Sequence, residues 1–225
     1  MMQSTCAIIL FARAPRLGKV KTRLQSHLDQ ETVLQLYSCF LRDSIEKICA
    51  IEEADSFIGV AEEEDLDYFL ETVTGKGIYT FSQSGDNLGE RMRNAFLGRF
   101  KEGYKRIVII GSDSPSLPVR CITQAFEANR DLIIGPSFDG GYYLIGMRNK
   151  VIEVFDGVEW GSEKVLEQTL FNVATLQVSL ESLPLWYDID RLEDLRFLRS
   201  HLSLLCRSGE QIPPATADYL IQLKL

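Results

Sequence analysis

The stretch RIVIIGSDSP, residues 106–115, decides the fold because it joins an unbroken apolar run to a polar end. A strand that is buried on both faces of a parallel sheet has a continuous apolar sequence instead of an alternating one. The run at 106–111 fits this pattern, and Ser112 and Asp113 follow it directly. We therefore predict a central strand over 106–111 with polar residues at its carboxyl end.

Segments typical of strands and helices alternate on both sides of this run. Alternation up to residue 135 predicts a mostly parallel sheet covered by helices on both faces, which is a three-layer α/β/α fold. Further strands are expected at 6–11, 55–61, 77–82, 131–135 and 141–147, with helices at 30–49, 63–73, 88–100 and 118–129. For the last third of the sequence we predict a helix near 162–171, strands near 173–179 and 183–189, and helices near 191–202 and 214–223.

Length and composition indicate one globular domain. The chain has 225 residues, of which 45% are hydrophobic and 25% are charged, which are ordinary globular proportions. We expect a single domain over residues 1–225, in which 209–225 form a C-terminal helical tail that packs on its own domain or on a second subunit. No apolar run approaches the length of a membrane span. The basic residues follow the first apolar run instead of preceding it, so we expect a cytoplasmic protein without a secretory signal.

The charge is unevenly distributed along the chain. The formal net charge is −8, which argues against nucleic-acid binding. The first 28 residues nevertheless contain no acid and five basic side chains, namely Arg13, Arg16, Lys19, Lys21 and Arg23. This segment is either a local anion site or a solvated basic loop. With only two histidines in the chain, a metal would be held by carboxylates, which favours Mg²⁺ or Mn²⁺.

The expected strand ends carry the candidate functional groups, because ligands of such sheets bind there. After the first strand comes FARAPRLGKVKTRL, residues 11–24, which is neither a Walker A loop nor a dinucleotide-binding turn. Its cations either neutralise a diphosphate or triphosphate or decorate the start of a helix. After the third strand, SQSGDNLGERMRNAF at 82–96 either lets a planar ring approach the backbone or is a plain turn.

The later strand ends are acidic or rich in glycine. Asp113 either holds a metal on a nucleotide phosphate or caps the turn before the next helix. Gly140 and Gly141 indicate either a close ligand approach or a hairpin turn. Trp160 is either a substrate wall or a core residue.

Two more carboxylates follow near the last predicted strand. Asp188 and Asp190 are two apart in an extended segment and should point to opposite faces. Asp190 has an alternative role as the N-cap of the helix that follows, with Glu193 three residues on. A single metal held by Asp113 and one of these two carboxylates is the hypothesis that remains.

Together these segments resemble a bacterial family of glycosyltransferases with the GT-A fold, a domain of the nucleotide-diphosphosugar transferase type. Within that superfamily the chain also resembles 2-phospholactate guanylyltransferase and molybdopterin guanylyltransferase. The resemblance runs from residue 11 to about 195 and rests on the motifs FARAPRLGKVKTRL, GDNLGERMRNAF, IVIIGSDSP, GPSFDGGYYLIG, VEWGS and DIDRLEDL.

The resemblance implies a role for each matching residue. The catalytic group would comprise Lys21, Arg23 and Asp113, and the metal ligands would be Asp113 with Asp188 or Asp190. The acceptor or sugar pocket would be lined by Asp139, Gly140, Gly141, Tyr142 and Trp160. The nucleotide would be bound by Phe11, Ala12, Arg13, Gly18, Lys19, Lys21, Arg23, Gly85, Gly89, Arg91 and Ser112.

Two departures from the related patterns point in opposite directions. Many GT-A glycosyltransferases carry Asp-x-Asp at the metal strand, whereas Gly111 takes the first of those positions here and only Asp113 remains. A lone aspartate followed two residues later by proline resembles the guanylyltransferases instead. The Gly-rich opening loop of many nucleotidyltransferases is also missing, because Gly18 is the only glycine of residues 11–18.

Three functions therefore remain. The first is a metal-dependent glycosyltransferase that moves a sugar from a nucleotide-diphosphosugar to an unknown acceptor. The second is a nucleotidyltransferase that joins a nucleoside monophosphate from a triphosphate to a phosphorylated acceptor, with release of pyrophosphate. The third is a nucleotide-binding protein without turnover. We favour the first, although a fold does not determine a reaction.

Overall fold

The computed structural model describes residues 4–223, which form strands, α-helices and two short 3-10 helices, at Thr22–Ser26 and Glu63–Asp65. The strands are β1 (Cys6–Ala12), β2 (Ala54–Val60), β3 (Tyr79–Ser82), β4 (Arg106–Gly111), β5 (Leu132–Pro136), β6 (Tyr142–Arg148) and β7 (Leu180–Ser182). The helices are α1 (Gln30–Cys49), α2 (Leu66–Thr72), α3 (Leu88–Lys101), α4 (Val119–Glu127), α5 (Val165–Ala174), α6 (Leu192–Arg207) and α7 (Pro214–Gln222).

The described strands form one seven-stranded sheet in the order β3-β2-β1-β4-β6-β5-β7. β4 is the middle strand of the seven, and its neighbour β1 pairs parallel with both β2 and β4. β6 is antiparallel to its neighbours β4 and β5, and β7 is parallel to β5. The predicted α/β fold with a mostly parallel sheet is confirmed.

Helices cover both faces of this sheet, as the continuous apolar strands require. Ile109 and Ile110 are consecutive and both buried, and they belong to opposite cores because successive strand residues point to opposite faces. Ile110 shares its core with Phe69 of α2 and with residues of α1 and α4. Ile109 shares the other core with Phe96 of α3 and with residues of α5. The carboxyl end of β4 therefore lies between two filled cores.

The last third of the chain departs from the predicted pattern. The strand predicted near 173–179 is wrong, because α5 continues to Ala174, where Val173 is buried in the core that α3 covers. The strand predicted near 183–189 is also wrong: the strand β7 ends at Ser182, and Trp186 then forms a single bridge with Ser137. Pro184 lies in this segment, and it has no N–H with which to continue the ladder.

A third core lies outside the sheet, between α1, α6 and α7. It contains Phe40 of α1, Leu198 of α6 and Leu220 of α7. α7 therefore packs on its own chain, with Tyr219 donating a hydrogen bond to the Thr32 carbonyl at 3.2 Å. The assignment of residues 1–225 to one domain stays a prediction.

Asp43 of α1 connects this core to the C-terminal segment. Its side chain is buried and accepts hydrogen bonds from the backbone N–H groups of Ala215 (3.0 Å) and Thr216 (2.7 Å). These groups belong to the first turn of α7, whose own N-cap residue, Pro213, offers no capping side chain. Asp43 thus performs the capping function from a distant position in the sequence.

We expect Asp43→Ala to lower the free energy of unfolding by about 2 kcal/mol, because two charge-assisted hydrogen bonds are lost and two N–H groups become unpaired. Urea denaturation measures the change. The matched control is Asp218→Ala on the exposed side of α7, for which we expect a change within about 0.5 kcal/mol. Equal stability of the two variants would contradict the capping role of Asp43.

Candidate functional site

A cleft of about 750 Å³ opens at the carboxyl ends of β1 and β4, between the loops that follow these strands and the first turn of α3. Ligands of open α/β sheets bind at this edge, and the volume lies in the range of small-molecule sites. Lys21, Arg23, Asp113 and Asp190 line it. So do most of the predicted nucleotide-binding residues, namely Phe11, Ala12, Arg13, Lys19, Arg91 and Ser112.

Three predicted nucleotide-binding glycines do not line this cleft. Gly18 forms a turn with φ +74°, which favours glycine. A Cβ at Gly85 would lie 2.9 Å from the backbone nitrogen of Arg91, and a Cβ at Gly89 would lie 2.5 Å from the Trp160 ring. The latter two glycines let the first turn of α3 pack closely against its surroundings, which shapes the wall of the cleft.

The loop after β1 is anchored between Arg13 and Lys19, two residues that line the cleft. Arg16 forms ion pairs with Glu64 at 2.6 Å and with buried Asp65. Asp65 also accepts a hydrogen bond from the N–H group of Ala14 at 3.1 Å. Arg16 is therefore a structural cation of the basic segment. The other four basic side chains, of Arg13, Lys19, Lys21 and Arg23, face the cleft.

Lys21 is the centre of the site. Its ammonium lies 2.7 Å from Asp113 and 2.9 Å from Asp190, and its side chain is only 4% exposed. Arg23 lies 3.0 Å from the second oxygen of Asp190 and is 61% exposed. The backbone of Lys21 is left-handed, with φ 44° and ψ 45°, which is an unfavourable conformation for a residue with a Cβ. The two carboxylates hold this segment in place.

The electrostatics of the cluster favour its charged form. Burial alone would lower the pKa of Lys21, but the negative charges of Asp113 and Asp190 outweigh burial and raise the pKa above its ordinary value. Burial alone would raise the pKa of Asp190, but Lys21 and Arg23 outweigh it and lower that pKa. A permanent ammonium therefore lies at the floor of the cleft, next to the Asp190 carboxylate, whose ionised form is favoured.

The capping alternatives for Asp113 and Asp190 are wrong. Helix α6 is capped by Asp194, which accepts hydrogen bonds from the N–H groups of Asp190 at 3.0 Å and Arg191 at 2.7 Å. The Asp190 side chain is thereby left for Lys21 and Arg23. Helix α4 starts after Pro118 without any capping side chain, and the side chain of Asp113 turns to Lys21 instead.

Asp188 is bound by serine hydroxyls instead of by the cations of this cluster. Its two carboxylate oxygens accept hydrogen bonds from Ser114 and, at 3.1 Å, from Ser137. Burial raises the pKa of Asp188 to about 6, and the negative charges of Asp113 and Asp139 add to the effect, although the Ser114 hydrogen bond opposes it. Asp188 and Asp190 therefore have different partners, two serine hydroxyls for the first and two cations for the second.

The three predicted metal carboxylates therefore do not converge on one point. The Lys21 ammonium lies between Asp113 and Asp190, while Asp188 is bound by two serine hydroxyls. Within residues 4–223, no group of three His, Cys, Asp or Glu side chains is arranged to hold a metal ion. The side chain of Asp113 is 47% exposed, so it remains accessible from the cleft.

None of the predicted acceptor-pocket residues lines the main cleft. Asp139 is exposed and accepts a hydrogen bond from the Gly141 N–H at 3.1 Å. Gly140 has φ +88°, and a Cβ there would collide with the Glu163 carbonyl. Trp160 packs against Phe155, with ring centroids 6.2 Å apart, and Tyr142 lines a small apolar cavity that adjoins the cleft.

Tyr37 is a site residue that the sequence analysis missed. Its hydroxyl accepts a hydrogen bond from the N–H of Arg13, donates to the carbonyl of the same residue, and lies 3.2 Å from the Ser112 hydroxyl. It thus joins the loops after β1 and β4 from the middle of α1. By its spacing Tyr37 belongs to the apolar stripe of α1, with Val33, Phe40 and Leu41. Only its hydroxyl distinguishes it there from a plain core residue.

The fold and the cleft define an α/β protein of the nucleotide-diphospho-sugar transferase type. The family model described as "Uncharacterized protein conserved in bacteria (DUF2064)" matches residues 45–162, which is just over half of the chain. The chain belongs to this family. A comparison with curated protein sequences gave no match. None of the helices within residues 4–223 is both long enough and apolar enough to cross a membrane.

Solved structures support the same classification. A protein from Desulfovibrio desulfuricans G20, called a "putative nucleotide-diphospho-sugar transferase", is 31% identical with a TM-score of 0.89, covering 98% of this chain and 95% of that chain. The inositol-1-phosphate CTP transferase from T. maritima is 15% identical with a TM-score of 0.57, covering 92% of this chain and 98% of that one.

A synthase named for 4-diphosphocytidyl-2C-methyl-D-erythritol, from Anaerococcus prevotii DSM 20548, has a TM-score of 0.58 at 10% identity, covering 89% of this chain and 96% of that one. At such low identity, this similarity and that to the CTP transferase establish the fold alone.

We expect Lys21→Met to lower the free energy of unfolding by about 3 kcal/mol, because it leaves Asp113 without a counter-ion next to Asp190, which keeps only Arg23. Adding Asp190→Asn should recover about 1 kcal/mol or more of this loss, because it removes the repulsion. Urea denaturation of the two single variants and the double variant measures the coupling. Lys101→Met, at the exposed end of α3, is the control. Identical unfolding midpoints for Lys21→Met and the control would contradict the arrangement.

The raised pKa of Asp188 predicts a pH dependence of stability. The folded protein binds this proton more tightly than the unfolded chain, because the pKa is about 6 against 3.8. Protonated Asp188 therefore makes its full contribution to the free energy of unfolding below pH 4, and this contribution is lost as the pH rises to about 6. The Asp188→Asn variant has no carboxyl group at this position and should not lose stability in this way. Its free energy of unfolding relative to that of the wild type should therefore rise by about 2 kcal/mol between pH 4 and pH 7.

Urea denaturation across this pH range, in the presence of a chelator, measures the difference between the two proteins. Asp131→Asn is a suitable control, because hydrogen bonds from Ser179 lower the pKa of that carboxyl instead of raising it. Parallel stability curves for the wild type and Asp188→Asn would show that Asp188 titrates normally.

Proposed function

We propose that the protein is a glycosyltransferase that uses a nucleotide-diphosphosugar as the donor and moves its sugar to an acceptor. The observation that carries this proposal is the buried Lys21 ammonium, held by Asp113 and Asp190 at the floor of a cleft that exposed cations surround. The general part of this proposal is that the protein is a transferase that uses a nucleotide substrate. The specific part is that the transferred group is a sugar.

The cations would bind the diphosphate. Arg13, Lys19 and Arg23 are exposed around Lys21 on one loop. A unit charge pair at 4 Å is worth about 4 kcal/mol at an effective dielectric constant of 20, so a few such contacts outweigh a distant and screened net charge of −8. Lys21 and Arg23 would also stabilise the charge that develops on the departing nucleoside diphosphate.

The carboxylates would orient the sugar. Asp113 is 47% exposed and Asp190 is 36% exposed, and carboxylate oxygens accept hydrogen bonds from hydroxyl groups. A hydroxyl-rich, uncharged sugar suits this end of the cleft better than a phosphorylated group does. The relative from Desulfovibrio desulfuricans G20, called a "putative nucleotide-diphospho-sugar transferase" at 31% identity, supports sugar transfer.

A divalent cation fits this site only with ligands from the substrate. Mg²⁺ is commonly held by one or two carboxylates, with phosphate and water oxygens completing its shell. One oxygen of Asp113 binds Lys21 and both oxygens of Asp190 are bound by cations, so Asp113 would be the main protein ligand of Mg²⁺ or Mn²⁺. The ion would neutralise charge on the diphosphate. We further propose that the protein acts in the cytoplasm.

Nucleotidyl transfer is the second candidate. Two observations favour it: four cations on one loop match the charge of a triphosphate, and Gly111 occupies the place of the first aspartate of an Asp-x-Asp motif. In this reaction an acceptor phosphate oxygen would attack the α-phosphorus, the bond to the β-phosphate oxygen would break, and pyrophosphate would leave. Lys21 and Arg23 would then hold the leaving pyrophosphate.

Ligand-induced thermal stabilisation followed by phosphorus NMR distinguishes these reactions. A ligand at one hundred times its dissociation constant adds about 2.7 kcal/mol to stability. With Mg²⁺ or Mn²⁺, we expect a nucleotide-sugar to stabilise the protein and slowly release the nucleoside diphosphate. Preference for a triphosphate, with pyrophosphate formed once a phosphorylated acceptor is added, would establish nucleotidyl transfer instead. No stabilisation by any nucleotide would contradict both reactions.

Arg23→Gln tests the phosphate-binding role of the loop. We expect about tenfold weaker binding of the best nucleotide, because one exposed charge contact is worth about 1–2 kcal/mol. Calorimetry measures the affinity. Arg42→Gln is the matched control, because Arg42 is exposed on α1 and does not line the cleft. Equal affinities of the two variants would remove Arg23 from the site.

A further inference from the structure

A second, smaller cavity adjoins the main cleft. Its volume is about 110 Å³, and Phe11, Leu88 and Gly111 line both cavities, so the two adjoin at these residues. The remaining wall consists of Met92 of α3 and residues at the paired ends of β4 and β6, mainly Ile109, Tyr142 and Ile145. We call this cavity the side pocket.

The side pocket exists because position 111 has no side chain. Gly111 lies two residues after Ile109, so a side chain at this position would point to the same face of the sheet, toward α3. Phe11 is its register partner on β1. A Cβ built on Gly111 meets no atom within 4 Å, so this direction is open. An aspartate at this position would fill the entrance with a charged group.

The chemistry of the side pocket is apolar. Apart from those of Tyr142 and Tyr143, its side chains are hydrocarbon or thioether groups, and the Tyr142 hydroxyl is buried. Apolar pockets favour apolar guests, and for comparison an enclosed cavity of about 150 Å³ holds benzene. A volume of about 110 Å³ therefore suits a methyl group, either that of a 6-deoxy sugar or the terminal methyl of an acetyl group.

A nucleobase suits this pocket poorly. Its exocyclic oxygen and amino groups would lose their hydrogen bonds to water without gaining partners, which is costly in a buried site. The side chains of Gln83, Asp86 and Asn87 line the main cleft but not the side pocket. The base has hydrogen-bonding partners there, whereas the side pocket offers mainly contact with carbon atoms.

We propose that the side pocket is a specificity site that takes an apolar substituent of the transferred sugar, namely the methyl group of a 6-deoxy sugar or the terminal methyl of an acetyl group. The proposal rests on the proposed glycosyl transfer. Lys21 and the neighbouring cations hold the diphosphate, Asp113 faces the sugar, and the substituent enters past Gly111.

Calorimetry with matched donors tests this proposal. The probes are UDP-glucose, UDP-6-deoxyglucose and UDP-N-acetylglucosamine, the corresponding GDP and dTDP compounds, and the free nucleoside diphosphates. We expect the donor with the apolar substituent to bind about tenfold more tightly than its glucose counterpart, because a methyl group is buried and no hydroxyl is left unpaired. Equal affinities within every nucleotide series that binds would overturn the proposal while leaving the proposed function intact.

Gly111→Ala and Gly98→Ala form a matched pair of variants. A Cβ meets nothing within 4 Å at either position, and neither glycine has a positive φ, so both should fold. Gly98 lies on α3 and lines neither cavity. Gly111→Ala should reduce the preference for the apolar substituent to about twofold or less, because its methyl group narrows the entrance. Gly98→Ala should keep the preference.

The remaining outcomes are separable. If Gly111→Ala weakens the free nucleoside diphosphate as much as the full donors, then the base or ribose occupies the side pocket and the proposal fails. If no nucleotide binds the wild-type protein, the proposed function fails, and this proposal fails with it. Crystals under xenon pressure give an independent readout: xenon should enter the side pocket and be displaced by the preferred donor. Xenon that stays in place when the donor is bound would overturn the assignment.

Discussion

The shared ammonium of Lys21 is the interaction on which the site depends. It joins three segments that are far apart in the chain, namely the loop after β1, the end of β4 through Asp113, and the start of α6 through Asp190. Since each carboxylate would repel the other without the lysine, the three segments are stable in this arrangement only together. The left-handed backbone at Lys21 is the local cost of bringing the ammonium to this point.

This arrangement also determines the sign of the potential inside the cleft. The ammonium is matched by two carboxylates, so the floor of the cleft is not strongly cationic by itself. The excess positive charge comes from Arg13, Lys19 and Arg23 at the rim. The cleft therefore combines cations at its rim with carboxylates at its floor, and this combination suits a donor that has a diphosphate at one end and hydroxyl groups at the other.

The sequence predicted those parts of the molecule that short-range patterns determine. The buried strand at 106–111 and the helix at 30–49 are predicted correctly, because apolar periodicity over a whole element determines each. Where periodicity is weak, as at 183–189, the prediction failed. Most predicted residues of the loop after β1 line the cleft, since a strand end in a parallel sheet can be located from sequence.

Long-range polar partners could not be predicted in this way. The capping interpretation of Asp190 was reasonable from local spacing, yet Asp194 caps the helix, and Lys21, which is 169 positions away, takes the Asp190 carboxylate. Tyr37 and Asp43 look like ordinary positions of an amphipathic helix, although each bonds to a distant segment. Such roles depend on tertiary packing and leave no periodic signal.

Helix α1 shows why these missed residues belong together. One helix supplies Tyr37, which joins the loops after β1 and β4, and Asp43, which caps α7. The same helix supplies Lys47, whose ammonium donates to the carbonyls of Ser114 and, at 3.0 Å, Pro115 in the Asp113 loop. Burial lowers the pKa of Lys47 to about 8, so this amine remains mostly charged at neutral pH and its bonds to the carbonyls are charge-assisted.

Polar groups in a helix interface cost stability unless each has a partner. Tyr37, Asp43 and Lys47 have their partners in the segments that they position. The geometry around Lys21 is therefore set by α1 before any ligand arrives, which is the preorganisation that binding a charged donor requires.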